Sequence, residues 1–371
     1  MFQSLTFPGC NRGAPQLSLG GLPIPDVSVT PHLGIPLGSI SETVITEIIN
    51  KGKRCCAALQ GLCRSGTILD PGLASKLYWS IVIPSMLHGI EILYLSEPQI
   101  QRLNCAHVHM ARNIQGLPGW TPSDAILPQI GWVSLESHIK RKAMLMMYKL
   151  LTLSMRTVAK QVVLIRLTQL RHSGTPSPSP IGLMYSYLKE YNLEWLVHQI
   201  LDSGIVPSYN YWKKSVQYAV MSAEDRRQAL ARQLHPSLAC YDIVIGSIKM
   251  CIWWNIAIAH PKHREKCRQV MAFICAYDTR FRFGRCQLCS SYEADTVSHL
   301  VTHCDHFLEW RTTLYQNMTS HCNTPEYHGE GGLVCHILRG GCNDSESLVI
   351  LDALYTLVIE THYRKSLCEG E

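Results

Sequence analysis

The sequence predicts a mainly α-helical protein with a short β segment at its N-terminus and a small Cys/His knuckle near its C-terminus. Three observations predict it. From Ser41 onward, apolar residues recur at the spacing of helices that pack on a core. Residues 1–38 are instead rich in Gly and Pro, with short alternations such as Val27-Ser28-Val29 that suit loops and two short strands. Four side chains able to ligate a metal gather at Cys286, Cys289, His299 and Cys304.

The chain has 371 residues, 46% of them apolar, so it can bury a core and is not a disordered chain. Residues 1–38 read as the end of a domain that begins upstream. Residues 39–172 read as a helical domain, 173–275 as a second helical region, 276–311 as the knuckle and 312–371 as a helical tail. Val44, Ile45, Ile48 and Ile49 mark a first helix, which Ser41 or Thr43 could cap. Asp70-Pro71 starts the next, a cap residue followed by proline at the first helical position. It continues through Leu73, Leu77 and Ile81 until Pro84 kinks or ends it. Residues 97–114 form a third helix, and residues 120–124 are a turn leading into a short one. Residues 134–170 read as one long or two consecutive helices, with Leu145, Tyr148, Met155, Ala159 and Val162 as the apolar stripe. Residues 173–180 resemble a linker. Further helices are expected at 182–202, 222–234, 264–275 and 345–367. Glu224, Arg227 and Gln228 should lie on a solvated face, and Leu348, Leu351, Leu354 and Val358 should form the buried stripe of the last helix.

Charge is distributed unevenly. The formal net charge is +6, but the chain up to Arg285 carries 30 Lys/Arg against 16 Asp/Glu, a net of +14. Beyond Arg285 the count is 4 against 12, a net of −8. A front part this basic suits contact with a polyanion, nucleic acid above all. Residues 137–172 hold eight Lys/Arg and no carboxylate. Lys142, Lys149 and Arg156 are seven apart and so share a helical face, which Lys160 extends by one turn. With Lys140 and Arg141 they form a stripe that can follow a phosphate backbone without reading sequence; the plain alternative is a solvated face.

No charged segment followed by an apolar run opens the chain, so it is expected in the nucleus or cytoplasm and not secreted. Its 16 cysteines are then better explained as metal ligands and small buried apolar residues than as disulfides. No membrane span is expected, because the most apolar run, residues 79–95, is interrupted by Pro84, His88 and Glu91.

Cys286 and Cys289 are spaced to reach one ion from a tight turn, and His299 and Cys304 to reach it from the start of a helix. Three sulfurs and a nitrogen suit zinc in a tetrahedral, closed, structural site, and leave no position open for a catalytic water. His303 abuts Cys304 and could in principle replace a ligand. Cys322, Cys335, His336 and Cys342 lack any recognised ligand spacing. Just before the knuckle, Lys262, Arg264, Lys266, Arg268, Arg280, Arg282 and Arg285 face only Glu265 and Asp278. Phe281 and Phe283 alternate with the arginines, a pattern that suits either a grip on unpaired nucleic acid or a short strand with buried phenylalanines.

Several segments then occur in a telling order. His32-Leu33-Gly34-Ile35-Pro36-Leu37-Gly38 resembles a Tyr-Leu-Gly-Val-x-Leu strand. Lys76-Leu77-Tyr78 followed by Pro84-Ser85-Met86-Leu87-His88-Gly89-Ile90-Glu91 resembles Tyr…Pro-x-Leu-Leu-Tyr-Gly-x-Glu-x-Trp, with His88 for the usual Tyr and no Trp after Glu91. Asp124-Ala125-Ile126-Leu127 through Gly131-Trp132-Val133-Ser134-Leu135 resembles Ala-x-Leu…Gly-x-x-Pro-Leu, with Ser134 where proline is common. Cys286-Gln287-Leu288-Cys289 through Asp295-Thr296-Val297-Ser298-His299-Leu300 to Cys304 resembles Cys-Pro-Leu-Cys…Glu-Thr-x-x-His-Leu…Cys. Together they resemble the region downstream of the palm in LINE-type, non-LTR retrotransposon reverse transcriptases. The resemblance touches residues 20–155 and 275–311, whereas the middle of the chain carries no matching motif.

The resemblance implies the end of a palm, a helical thumb and connection, and a zinc knuckle. It implies binding to RNA or an RNA/DNA duplex, with the rest of the retrotransposon polyprotein as a further partner. It does not imply polymerisation. Such enzymes need an aromatic-x-Asp-Asp pair to hold magnesium, and no Asp-Asp dipeptide occurs in this sequence. The stretch before the Leu-Gly strand is too short for fingers and palm. The chain as given is therefore expected to be a binding fragment with no magnesium site and no catalytic residue. Rival readings are a zinc-stapled helical scaffold for other proteins, a remnant of a decayed element without function, and a nuclease. The last would need a lysine among clustered carboxylates, but Lys365, the tail's one lysine, sits at its extreme end.

Overall fold

The computed structural model describes residues 4–5, 18–19, 22–23, 26–27, 29–32, 35–38, 42–61, 71–173, 179–245, 249–280, 284–289, 291, 293–321, 329–341 and 343–368. Among the described residues the protein is mainly helical, with 76% in helix and 4% in strand, as the periodicity predicts. It divides into two compact units, residues 1–57, 79–107 and 134–224, and residues 58–78, 108–133 and 225–371.

In the first unit, strands Val29–His32 and Ile35–Gly38 pair antiparallel, with Pro31 opposite Pro36. Neither proline can donate to the ladder, which keeps the hairpin short. Gly89, at φ +71°, lies so close to Ile35 that a Cβ would come within 2.5 Å of that side chain. Only glycine combines this backbone angle with this approach. The first expected helix is Glu42–Gly61, with Ile45 and Ile49 on its buried face.

Residues Leu135–Leu151 form a helix whose N-cap, Ser134, accepts from Ser137 N at 3.2 Å. A second helix, Val158–Ser173, follows after a break, so the two-helix alternative holds. The expected stripe does not survive that break. Met155 is 58% exposed and Val162 46% exposed, while Ala143, Met144, Met147, Leu151, Val163, Leu167 and Leu170 are buried. The non-helical residues between the helices reset the angular phase, so a period counted straight through them selects the wrong face. The core also takes in Met184, Leu188, Leu196, Ile200, Trp212 and Val216. The Trp212 indole donates to Met144 O at 3.1 Å. The single helix expected at 182–202 is two, Pro180–Glu190 and Glu194–Ser203. Ser179 caps the first, and the chain turns at Asn192, which adopts φ +54°. Asparagine is among the few residues that enter the left-handed region readily.

Glu224 corrects another expectation. It lies in the helix Tyr209–Gln233, which begins well before the expected start. It is 2% exposed, and its carboxylate accepts from Ser134 N, Ser134 Oγ and Ser137 Oγ at 2.8, 3.1 and 2.8 Å. Gln228 is buried as well. A buried carboxylate with three donors replaces the solvated face expected there.

The helix begun at Pro71 passes into a π turn at Tyr78–Val82 and ends at Met86. Pro84 has no N–H to give and crowds the carbonyl four residues back, so the preceding turn widens. The helix Arg264–Arg280 buries Cys267, Val270, Met271, Phe273, Ile274, Cys275 and Tyr277. It packs against Ile252–Ala259, whose Trp253 and Trp254 are fully buried, and against the terminal helix Asp344–Cys368. That last helix buries Leu351, Leu354 and Val358 as expected, with Leu348 only half-buried. Cys251 and Cys267 are small apolar core residues, and burial pushes both thiols up to about 12. Among the described residues, no helix is long and apolar enough to cross a membrane.

Candidate metal centre and basic surfaces

The candidate metal site starts from a short antiparallel pairing between Arg285 and Ala294. Cys286 N donates to Glu293 O at 2.9 Å and Asp295 N to Gly284 O at 3.0 Å, which folds the Cys286–Cys289 turn back on itself. The helix Val297–Thr302 follows, capped by Thr296, whose Oγ1 accepts from His299 N at 3.2 Å. Its first turn presents His299. After it, Cys304 N donates to His299 O at 2.9 Å, which brings Cys304 back beside the histidine.

The ligand atoms of Cys286, Cys289, His299 and Cys304 lie within 4.8 Å of one another and could hold a metal ion. Cys286 Sγ is 3.8 Å from Cys304 Sγ, and Cys289 Sγ is 3.3 Å from His299 Nε2. Sulfur and nitrogen ligands of one tetrahedral zinc stand roughly 3.3–3.8 Å apart, so the donor set and its spacing are compatible with zinc. Three of the four residues are buried and Cys289 is half-buried. Burial alone would raise the Cys289 thiol, but hydrogen bonds from Ser291, His299 and Cys286 outweigh it and hold the group at about 6. His303, the other candidate histidine, is exposed and shares a 2.5 Å hydrogen bond with Thr302. Cys322 and Cys342 lie outside the described residues, and His336 Nε2 is paired with Glu346 at 2.6 Å.

Sequence reasoning missed the shell around these ligands. Glu293 Oε2 lies 2.6 Å from His299 Nδ1 and leaves Nε2 to face the sulfurs. A carboxylate behind a histidine fixes its tautomer and ring orientation. Asp295 is buried, accepts from Tyr277 OH at 2.8 Å and pairs with Lys365 of the terminal helix. Asp278 accepts from Val297 N at 2.8 Å, and Arg311 donates to Cys304 O at 2.8 Å. The only hint of this shell in the sequence is the density of acids around the histidine, and carboxylates in such numbers are ordinary on a surface.

The basic stripe separates into two groups. Lys140 is buried and paired with Glu136 and Glu190 at 2.6 and 2.7 Å, with its Nζ 5.5 Å from the Tyr187 ring centre. Arg141 is half-buried against His138, and Lys142 pairs with Glu91 at 3.3 Å. Lys149 and Arg156 are exposed and Lys160 half-exposed, with no ion pair to any described residue. The helix ends at Leu151, so the seven-residue spacing does not place Arg156 on the helical face of Lys142. Near the knuckle, the Arg280 guanidinium lies 5.2 Å from the ring centre of Trp120. Arg285 is exposed, whereas Arg282, Phe281 and Phe283 lie outside the described residues. Lys266 pairs with Asp352 at 2.6 Å, and Arg268 is held by Glu265 and by Gly116 O.

Comparison of the chain with protein-family models, with curated proteins and with solved structures finds no match.

Proposed function

We propose that this chain is a nucleic-acid-binding fragment of a LINE-type reverse transcriptase, stapled by a structural zinc and without a polymerase centre of its own. The observation that carries the reading is the convergence of Cys286, Cys289, His299 and Cys304, the last of the ordered segments that resemble that family. The site would be closed. Four protein ligands fill a tetrahedral zinc, so the metal would supply folding energy and no chemistry. Glu293 would hold His299 in the ligating orientation, and Asp295 with Lys365 would tie the knuckle to the terminal helix.

Binding would rest on charge. Within the stripe, the cations that remain for phosphate are Lys149, Arg156 and Lys160, whereas Lys140 and Lys142 are neutralised within the chain. That internal use favours one second reading, a zinc-stapled scaffold for other proteins. A titration of the purified chain with RNA over a range of salt, together with elemental analysis, separates the two. The fragment reading expects one zinc per chain, lost in Cys286→Ser. It also expects affinity that falls steeply with salt, and a slope reduced by about three when Lys149, Arg156 and Lys160 are all changed to Glu. Zinc without RNA affinity would leave the scaffold.

A further inference from the structure

The middle of the chain matches no motif, yet in the first unit it presents an unusual surface. On the helix Tyr209–Gln233, Trp212, Val216 and Val220 face the core. The opposite face carries Tyr211, Lys214 and Tyr218, three and four residues apart and so aligned. Tyr211 is 51% exposed and Tyr218 77% exposed. Trp195, 43% exposed on the neighbouring helix, meets Tyr211 edge to face with ring centres 6.5 Å apart. Lys213 and Lys214 are exposed, and neither pairs with a carboxylate among the described residues. Lys213 lies 5.9 Å from the ring centre of Tyr209.

Core packing cannot account for rings this exposed, and Lys214 among them sets the charge of whatever covers them. We propose that Trp195, Tyr211 and Tyr218 form a stacking platform for unpaired bases, with Lys214 between the two tyrosines holding the phosphates of a single strand. This rests on the nucleic-acid reading above and adds the kind of strand recognised. Aromatic faces accept any base, and interleaved cations follow the backbone, so the platform would be sequence-tolerant. Seven residues of helix separate Tyr211 from Tyr218 by about 10 Å, the rise of roughly three stacked bases. A duplex buries its base faces and cannot use these rings, so the site distinguishes unpaired from paired nucleic acid. The polar ends of Tyr and Trp suit such a half-wet position better than phenylalanine would.

The test is a fluorescence-anisotropy titration of the full, zinc-loaded chain with a labelled oligouridine, its deoxy counterpart and an RNA duplex. Tyr211→Ala, Tyr218→Ala and Trp195→Ala should each weaken single-strand binding by about 5- to 150-fold and leave duplex binding unchanged. Tyr218→Phe and Trp195→Phe should restore most of it. Circular dichroism of each variant checks that the helix is intact. Single-strand binding that is salt-dependent but indifferent to all three alanine changes overturns the platform and leaves the nucleic-acid reading standing. Equal losses on strand and duplex overturn it too. No binding to any probe removes both readings.

Discussion

Two residues in this chain do more than their type suggests. Glu293 is exposed, yet it lies 2.6 Å from His299 Nδ1. Glu293→Ala should leave all four ligands in place and lower zinc affinity about 10- to 100-fold, measured by competition with a chelating dye. Unchanged affinity would mean that the helix alone orients the ring. His138 is the second case. It is buried beside Trp79, with ring centres 5.0 Å apart, and accepts from Arg141 at 3.3 Å. Burial first, then the nearby charges of Arg141, Lys142 and His107, holds it at about 3 instead of its ordinary 6.5. The fold therefore contains the neutral ring. Its contribution is fully present above about pH 6.5 and is lost as pH falls from there toward about 3, because only the unfolded chain takes up the proton. The wild type should lose up to about 1.4 kcal/mol per pH unit below pH 6.5 that His138→Gln does not lose. Urea midpoints at neutral and mildly acid pH would reveal this, and parallel losses in the two proteins would exclude it.

At the scale of elements, sequence pattern was informative wherever a helix carried its own signals. Pro71 at a helix start, and Leu351, Leu354 and Val358 on a buried stripe, could be read directly. The pattern misled where a short break shifted the angular phase. After Leu151 the buried positions are Val163, Leu167 and Leu170, not Ala159 and Val162, because a few non-helical residues turn the chain by an angle no periodicity encodes. Asn192 marks another break, which the run of apolar residues on either side of it masked, although asparagine favours turns over helix interiors. Glu224 failed for a different reason. Its donors on Ser134 and Ser137 lie 90 and 87 residues away in sequence, and long-range partners leave no local trace. The Cys/His cluster was legible because ligand spacing is local, whereas Asp278 and Lys365 reach the knuckle from other helices and were not.

At the scale of the whole molecule, the question is what holds the knuckle if zinc is its staple. The second unit surrounds it with polar ties that do not need the metal, namely Asp278 to Val297 N, Asp295 to Tyr277 and Lys365, and Arg311 to Cys304 O. These ties anchor the helix Val297–Thr302 and the carbonyl of Cys304, but none of them reaches the turn that carries Cys286 and Cys289. That turn hangs on the short pairing around Arg285 and Ala294, too small to be stable by itself. Chelation should therefore act locally. Far-ultraviolet circular dichroism should keep nearly all of its helical signal, while limited proteolysis opens new cleavage sites between residues 284 and 295. Added zinc should close those sites again and raise the melting temperature in a concentration-dependent way, as any ligand of the folded state does. Loss of most helical signal on chelation would show instead that the buried ties form only around the ion, making zinc a condition for folding the second unit and not a clamp on one of its turns.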